Sequence, residues 1–223
     1  MQHNSKQVIS NQTTIHEHLD LLISKHLTSE YKRPIGAPTK QAFERLRSLN
    51  ISTDAFILDS GCGIGRSSVT LAQMHPQHTV IGVDKSPVRL QKLGDASLPS
   101  NLYLIRADQF DFWRLAAQHR WIFKKHTIFY PNPWPKKKHV QRRVHGHPAF
   151  PDLLRISKTL ILRSNWKLYV QEFSYAYKLA TGRECQIQKI LPNPIMSPFE
   201  KKFLASGHAL YEVEIHNELN GGM

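Results

Sequence analysis

The chain has 223 residues and is 40% apolar, enough for the core of one α/β domain, and no run nears the roughly 18 apolar residues of a membrane helix. Lys and Arg number 30 against 17 Asp and Glu, a formal net charge of +13, which suits either a polyanionic partner or a basic surface kept for solubility. Two distant cysteines, Cys62 and Cys185, make no disulfide framework, and the 13 histidines have no metal-site spacing, so reduced thiols and no metal are expected. The N-terminus lacks an apolar signal core, and a cytoplasmic location is expected.

Residues 1–50 read as a polar, helical and basic arm. Ile15, Leu19, Leu22, Ile23 and Leu27 have helical spacing, Tyr31–Pro38 reads as a loop, and Thr39–Leu49 is amphipathic. From residue 51 onward the pattern is that of a second domain, 51–223. Short apolar runs at Ala55–Leu58, Thr79–Val83, Leu102–Arg106, His126–Tyr130 and Leu168–Glu172 alternate with helix-like segments. Such alternation predicts a mostly parallel sheet covered by helices on both faces, a Rossmann-like α/β fold. A last run, Ala209–Ile215, predicts an antiparallel edge strand.

The first strand leads into Asp59-Ser60-Gly61-Cys62-Gly63-Ile64-Gly65-Arg66 and a helix pattern Ser67–Met74. Glycines at this turn tolerate positive φ and let a ligand approach the backbone. The G-x-G-x-G spacing is shorter than that of dinucleotide sites and suits a ligand without pyrophosphate. Asp84 ends the second strand, where an acid can accept from both hydroxyls of a ribose. Ala107-Asp108 follows the third strand, where Asp108 can accept from an adenine amine. Together these pieces resemble the class I methyltransferase fold with its seven-stranded sheet. That resemblance implies S-adenosylmethionine as cofactor, held by Asp59, Gly61, Gly63, Gly65, Asp84, Lys85, Ala107 and Asp108.

The fourth strand runs into Tyr130-Pro131-Asn132-Pro133-Trp134-Pro135-Lys136-Lys137-Lys138-His139-Val140-Gln141-Arg142-Arg143. Prolines stiffen this loop, Trp134 offers a flat face for stacking a base, and Lys and Arg crowd beside it. A solvated basic loop with Trp134 in the core is the bland alternative. His145 and His147 lie in the same basic segment. The run resembles the signature of the bacterial tRNA (guanine-N7)-methyltransferases, P-D-P-W-P-K-K-R-H followed by R-R. Ser197-Pro198-Phe199-Glu200 with Gly207 resembles that family's T-x-F-E and its downstream glycine. The resemblance covers roughly residues 55–215 and implies an RNA-modifying enzyme with tRNA, or another structured RNA, as partner, acting as monomer or homodimer.

Two departures stand out. The family's Asp in P-D-P-W is Asn132 here, which keeps an acceptor but loses the charge. With Leu168–Glu172 as the fifth strand, the family's T-D-W falls on Gln171-Glu172-Phe173, so Glu172 takes the acid's place. On this reading Asn132, Lys136 and Glu172 are the expected catalytic residues. Trp134, Lys136, Lys137, Lys138, His139, Arg142, Arg143, Ser197 and Glu200 would contact the RNA. Asn132-Pro133-Trp134 also resembles the N-P-P-[YFW] of amino-methylating enzymes, so N6-adenine chemistry stays open, as does a catalytically weak RNA-binding paralogue.

Overall fold

β1 (Phe56–Ser60) is buried at every one of its 5 positions, as an interior strand of a parallel sheet covered on both faces must be. The computed structural model describes residues 5–49, 51, 56–94 and 98–218. The strand order is β3-β2-β1-β4-β5-β7-β6 in a sheet of 7 strands among the described residues. No helix among them is long and apolar enough to cross a membrane. The chain divides into two units, one comprising residues 32–129, 152–160 and 216–223, the other residues 1–31, 130–151 and 161–215.

In the first of these units β1 pairs in parallel with β2 (Thr79–Asp84) and with β4 (Phe123–Phe129), and β2 pairs in parallel with β3 (Leu102–Arg106). Helix α2 (Ala37–Ser48) lies against α5 (Gln109–Gln118), where Phe43 meets Phe112 edge-on at 5.5 Å. Helix α3 (Arg66–Met74) follows the glycine turn, and α4 (Pro87–Gln91) is capped by Ser86, whose hydroxyl accepts from the Arg89 N–H at 3.3 Å. Gly82 sets the distance between α3 and the sheet: a Cβ there would lie 2.4 Å from Ser68 Oγ and 2.5 Å from Leu104 Cδ2.

In the other unit α1 (Leu19–Thr28) buries Leu19 and Ile23 and packs on α7 (Lys167–Thr181). A 3-10 turn spans Lys137–Arg142. β6 (Ile187–Ile190) pairs antiparallel with β7 (Leu210–His216), and α8 (Pro198–Ala205) precedes β7. Helix α6 (Phe150–Arg155) and β5 (Ser157–Ser164) span the division between the units.

The first four strands lie where the apolar runs predict them, to within a few residues; the expected start of the first, Ala55, lies outside the described residues. The fifth is a correction. Leu168–Glu172 is not a strand but the first turns of α7, and β5 is Ser157–Ser164. In α7 the buried positions Tyr169, Phe173, Ala176 and Tyr177 recur at helical spacing, whereas β5 alternates with period two. The last run does pair antiparallel, but β7 is interior to the sheet and the unforeseen β6 is the edge.

A polar chain crosses the apolar core beneath the glycine turn. The Trp113 indole N–H donates to Ser60 Oγ at 2.9 Å, Ser60 Oγ lies 2.8 Å from His126 Nε2, and His126 Nδ1 lies 2.8 Å from Ser157 Oγ. Ser157 donates onward to the Leu153 carbonyl at 2.8 Å, which assigns the proton of a neutral His126 to Nδ1. Complete burial pushes the imidazole down to about 3 from its ordinary 6.5. Between those values the unfolded chain binds a proton that the folded chain refuses, so the His126 contribution is intact above about pH 6.5 and shrinks as the pH falls toward 3. Urea midpoints measured from pH 7 to pH 4 should therefore fall less steeply in His126→Gln than in the parent; equal slopes would assign the titration to another group.

Candidate active site

The turn after β1 is built on three left-handed glycines, with φ of 72° at Gly61, 62° at Gly63 and 84° at Gly65. The Gly61 and Cys62 N–H groups donate to the Val83 carbonyl at 2.8 and 3.0 Å, seating the turn on the end of β2. The Gly63 N–H donates to Asp84 Oδ2 at 3.0 Å. Asp84 Oδ1 accepts from the Ser86 N–H at 2.8 Å, and Arg89 reaches Oδ2 at 3.3 Å. Oδ1 thus keeps an acceptor direction for a ligand hydroxyl. A Cβ added at Gly63 would meet nothing within 4 Å, so the backbone here borders open space. Cys62 is buried, and burial, reinforced by the Asp59 and Asp84 charges, pushes its thiol up, which makes it packing and not a nucleophile.

At the end of β3 the fully buried Ala107 donates its N–H to the Asp84 carbonyl at 3.1 Å. Asp108 caps α5, with Oδ1 accepting from the Phe110 and Asp111 N–H groups at 3.0 and 3.3 Å; Oδ2 has no partner among the described residues. Lys85 is exposed. Asp59, expected on the ligand, is instead enclosed. Ser67 and Ser68 each donate to its Oδ2 at 2.6 Å and Thr127 to its Oδ1 at 3.1 Å. Burial pushes its carboxyl up, against the pull of those hydroxyls, and its contribution is to fasten α3 to the strand ends.

The basic loop belongs to the other unit. Tyr130 (φ 52°) and Trp134 (φ 44°) are left-handed without being glycine, a sparsely populated geometry that concentrates at functional sites. Asn132, between them, is exposed. Arg142 lies 4.8 Å above the Trp134 ring and His139 meets its edge at 5.7 Å, so a stacking base would share this ring with a guanidinium. Lys136, Lys138 and Arg142 are exposed, and Lys137 pairs with Glu17 at 2.7 Å. A groove of about 770 Å³ between residues 9–18 and Pro135–Lys138 is lined by Asn11, His16, His18 and the three lysines.

Arg143, expected on phosphate, is fully buried and therefore corrected. It donates to Glu172 Oε2 and, through Nε and Nη2, to the Trp134 carbonyl at 3.3 and 3.1 Å. Glu172, expected at the base, is equally buried: Gln12 and the His16 N–H donate to Oε1, and His145 lies 3.0 Å from Oε2. Burial alone would raise Glu172, but His145, Arg143 and Gln12 outweigh it and hold the carboxyl down to about 2. His145 is itself lowered by burial, and its Nδ1 has no partner among the described residues, so Arg143 is the counterion. Glu200 is buried as well, accepting from the Tyr130 hydroxyl at 2.7 Å, Arg163 at 3.0 Å and the Met196 N–H at 2.6 Å. Ser197 accepts from the Glu200 N–H at 3.2 Å, so Ser-x-x-Glu here is a helix cap on α8.

With β5 at Ser157–Ser164, the tripeptide that fits the T-D-W pattern is Ser164-Asn165-Trp166 and not Gln171-Glu172-Phe173. The acid is again an amide. Asn165 Nδ2 lies 3.0 Å from His208 Nδ1, and His208 Nε2 lies 2.9 Å from the Ser5 carbonyl. The short apolar run Leu160-Ile161-Leu162 is the sequence signal that could have located this strand and so Asn165. Among the described residues no group of three or more His, Cys, Asp or Glu is placed to hold a metal.

Residues 53–213 match the model of the family described as "Putative methyltransferase". The chain belongs to this methyltransferase family. A tRNA (guanine-N(7)-)-methyltransferase of Shewanella amazonensis is 29% identical over 170 residues, covering 70% of each chain. Another, of Chromohalobacter salexigens, is 26% identical over 193 residues, 80% of this chain and 78% of that one. Among solved structures, an antibiotic-related methyltransferase superposes with a TM-score of 0.57 at 15% identity, covering 83% of this chain and 97% of its own. The 16S rRNA methyltransferase KamB does so at 0.54 and 16% identity, covering 82% and 94%. These structures share the class I methyltransferase fold.

The burial of Arg143 in this methyltransferase has a measurable consequence. Arg143→Ala leaves Glu172 buried without its counterion and should cost about 3–5 kcal/mol in urea unfolding. Lys138→Ala, on the exposed face, should stay within about 0.5 kcal/mol. Similar small losses for both would show that the buried pair is not what holds the loop.

Proposed function

We propose that the protein transfers a methyl group from S-adenosylmethionine to N7 of a guanine in tRNA. When bound, that cofactor supplies an electrophilic methyl carbon on a sulfonium. Open space beside Gly63 would admit it, and Asp84 and Asp108 would accept from its ribose hydroxyls and adenine amine, with Lys85 and Ala107 beside them; Gly61 and Gly65 give the turn its left-handed backbone, and the missing Cβ of Gly65 leaves room for Leu104 and Leu93. The donor set fits such a nucleoside: two carboxylate oxygens with unused acceptor directions and open space beside Gly63.

Guanine N7 carries a lone pair and no proton, so the reaction needs alignment rather than a strong base. Asn132, exposed at the loop tip, offers an acceptor to the base edge, with Lys136 next to it. Lys137, Lys138 and Arg142 attract phosphates, His139 offers a ring N–H beside them, and Trp134 offers its ring to an unstacked base. Residues 51–223 make up the catalytic domain in this reading. The preceding arm, residues 1–50, contacts the basic loop through Ser10, which donates to the Pro135 carbonyl at 2.6 Å, and through Glu17. The enzyme would act in the cytoplasm.

The observation that carries the reading is the Gly63–Asp84 cradle in a chain whose curated relatives bear the name tRNA (guanine-N(7)-)-methyltransferase. Unmodified tRNA incubated with the protein and S-adenosylmethionine, then digested to nucleosides, should yield N7-methylguanosine. N6-methyladenosine would transfer the claim to the amino-methylating alternative, and no methylated nucleoside would leave an RNA-binding paralogue.

Two substitutions probe the loop. Asn132→Asp adds a charge beside the cationic methylated base and should raise the guanine rate by about tenfold, the worth of one charge-assisted hydrogen bond; an unchanged or lower rate contradicts that role. RNA affinity should fall steeply with salt, and Arg142→Ala should reduce the log–log slope by about 1. An unaltered slope would remove Arg142 from the phosphate contacts.

A further inference from the structure

The two carboxylates expected around the base both end on the shoulders of the loop that carries Asn132. Glu200 holds the Tyr130 hydroxyl at 2.7 Å, before the tip. Glu172 holds Arg143, whose Nε and Nη2 hold the Trp134 carbonyl at 3.3 and 3.1 Å, after the tip. Tyr130 and Trp134 are the two left-handed residues of the loop. Between them Pro131 and Pro133 have no N–H to donate, and the internal tie is a long 3.4 Å contact from the Trp134 N–H to Asn132 Oδ1. The Tyr130 N–H donates outward to the Arg163 carbonyl at 2.9 Å, so no backbone bond joins the two shoulders to each other.

Neither carboxylate is exposed to a substrate, since both are completely buried. Both oxygens of Glu172 receive two partners each, from Gln12, His16, Arg143 and His145. Glu200 Oε1 receives Tyr130 and Arg163, and Oε2 receives the Met196 N–H. Contact with a base would require breaking these bonds in a fully buried place.

We infer that Glu200, and Glu172 through Arg143, are positioning residues that clamp the two left-handed shoulders of the Tyr130–Trp134 loop and so fix Asn132 at its tip. The activity arm of the test rests on the methyl-transfer reading; a second arm does not. Tyr130→Phe should lower kcat several-fold while KM for RNA stays within twofold, and Glu200→Gln, which also disturbs Arg163 and the Met196 N–H, should lower kcat at least as much with the same small change in KM. A Glu200→Gln defect in KM for RNA, with Tyr130→Phe at full rate, would put Glu200 on the base and overturn the clamp. Independently of activity, trypsin should cut within Lys136–Lys138 several-fold faster in Tyr130→Phe and in Arg143→Lys, at temperatures well below each variant's melting point. Cutting at the parent rate overturns the clamp even in an active enzyme. Faster cutting in a protein that transfers no methyl group supports the clamp and removes the methyl-transfer reading.

Discussion

A carboxylate taken out of water must find donors for its oxygens, and this requirement divides the acidic residues here into scaffold and chemistry. Asp59, Glu172 and Glu200 are buried, and both oxygens of each are held by hydroxyls, amides, an arginine or a backbone N–H. Asp84, also buried, and Asp108 hold the backbone of the glycine turn and of α5 while keeping acceptor directions in reserve. The reserve is what a nucleoside with donor hydroxyls and a donor amine requires. The same fold therefore uses acid residues to fasten helices and loops in one place and to offer acceptors in another.

The chemistry attributed to the protein asks little of acid–base catalysis. A nucleophile without a proton and an electrophile with its own leaving group need orientation above all. Rigid prolines, two left-handed shoulders and buried ties are suited to that task. Where the family pattern has acids, Asn132 and Asn165 present amides, so the loop tip keeps hydrogen-bonding shape with less negative charge.

Much of this was legible in the sequence because it is local. The glycine turn, Asp84 and Asp108 lie at strand ends that short apolar runs mark directly. The fifth strand was misplaced because Leu168-Tyr169-Val170 is as apolar and β-favouring as a strand, and only the longer helical recurrence through Tyr177 tells it apart. That error carried the acid of T-D-W onto Glu172. Burial of Glu172, Arg143 and Glu200 was illegible for another reason: their partners, such as Gln12 and Tyr130, stand 160 and 70 residues away in the chain. A motif match cannot distinguish an acid facing a substrate from one satisfied by a distant side chain.

The account stands on the cradle at the ends of β1, β2 and β3. Calorimetric titration of the full chain with S-adenosylmethionine tests it most directly. Saturable binding of one equivalent, lost or strongly weakened in Asp108→Ala with the fold intact, is the predicted result. Absence of binding by the folded parent protein, with Asp84 and Asp108 in place, would contradict it.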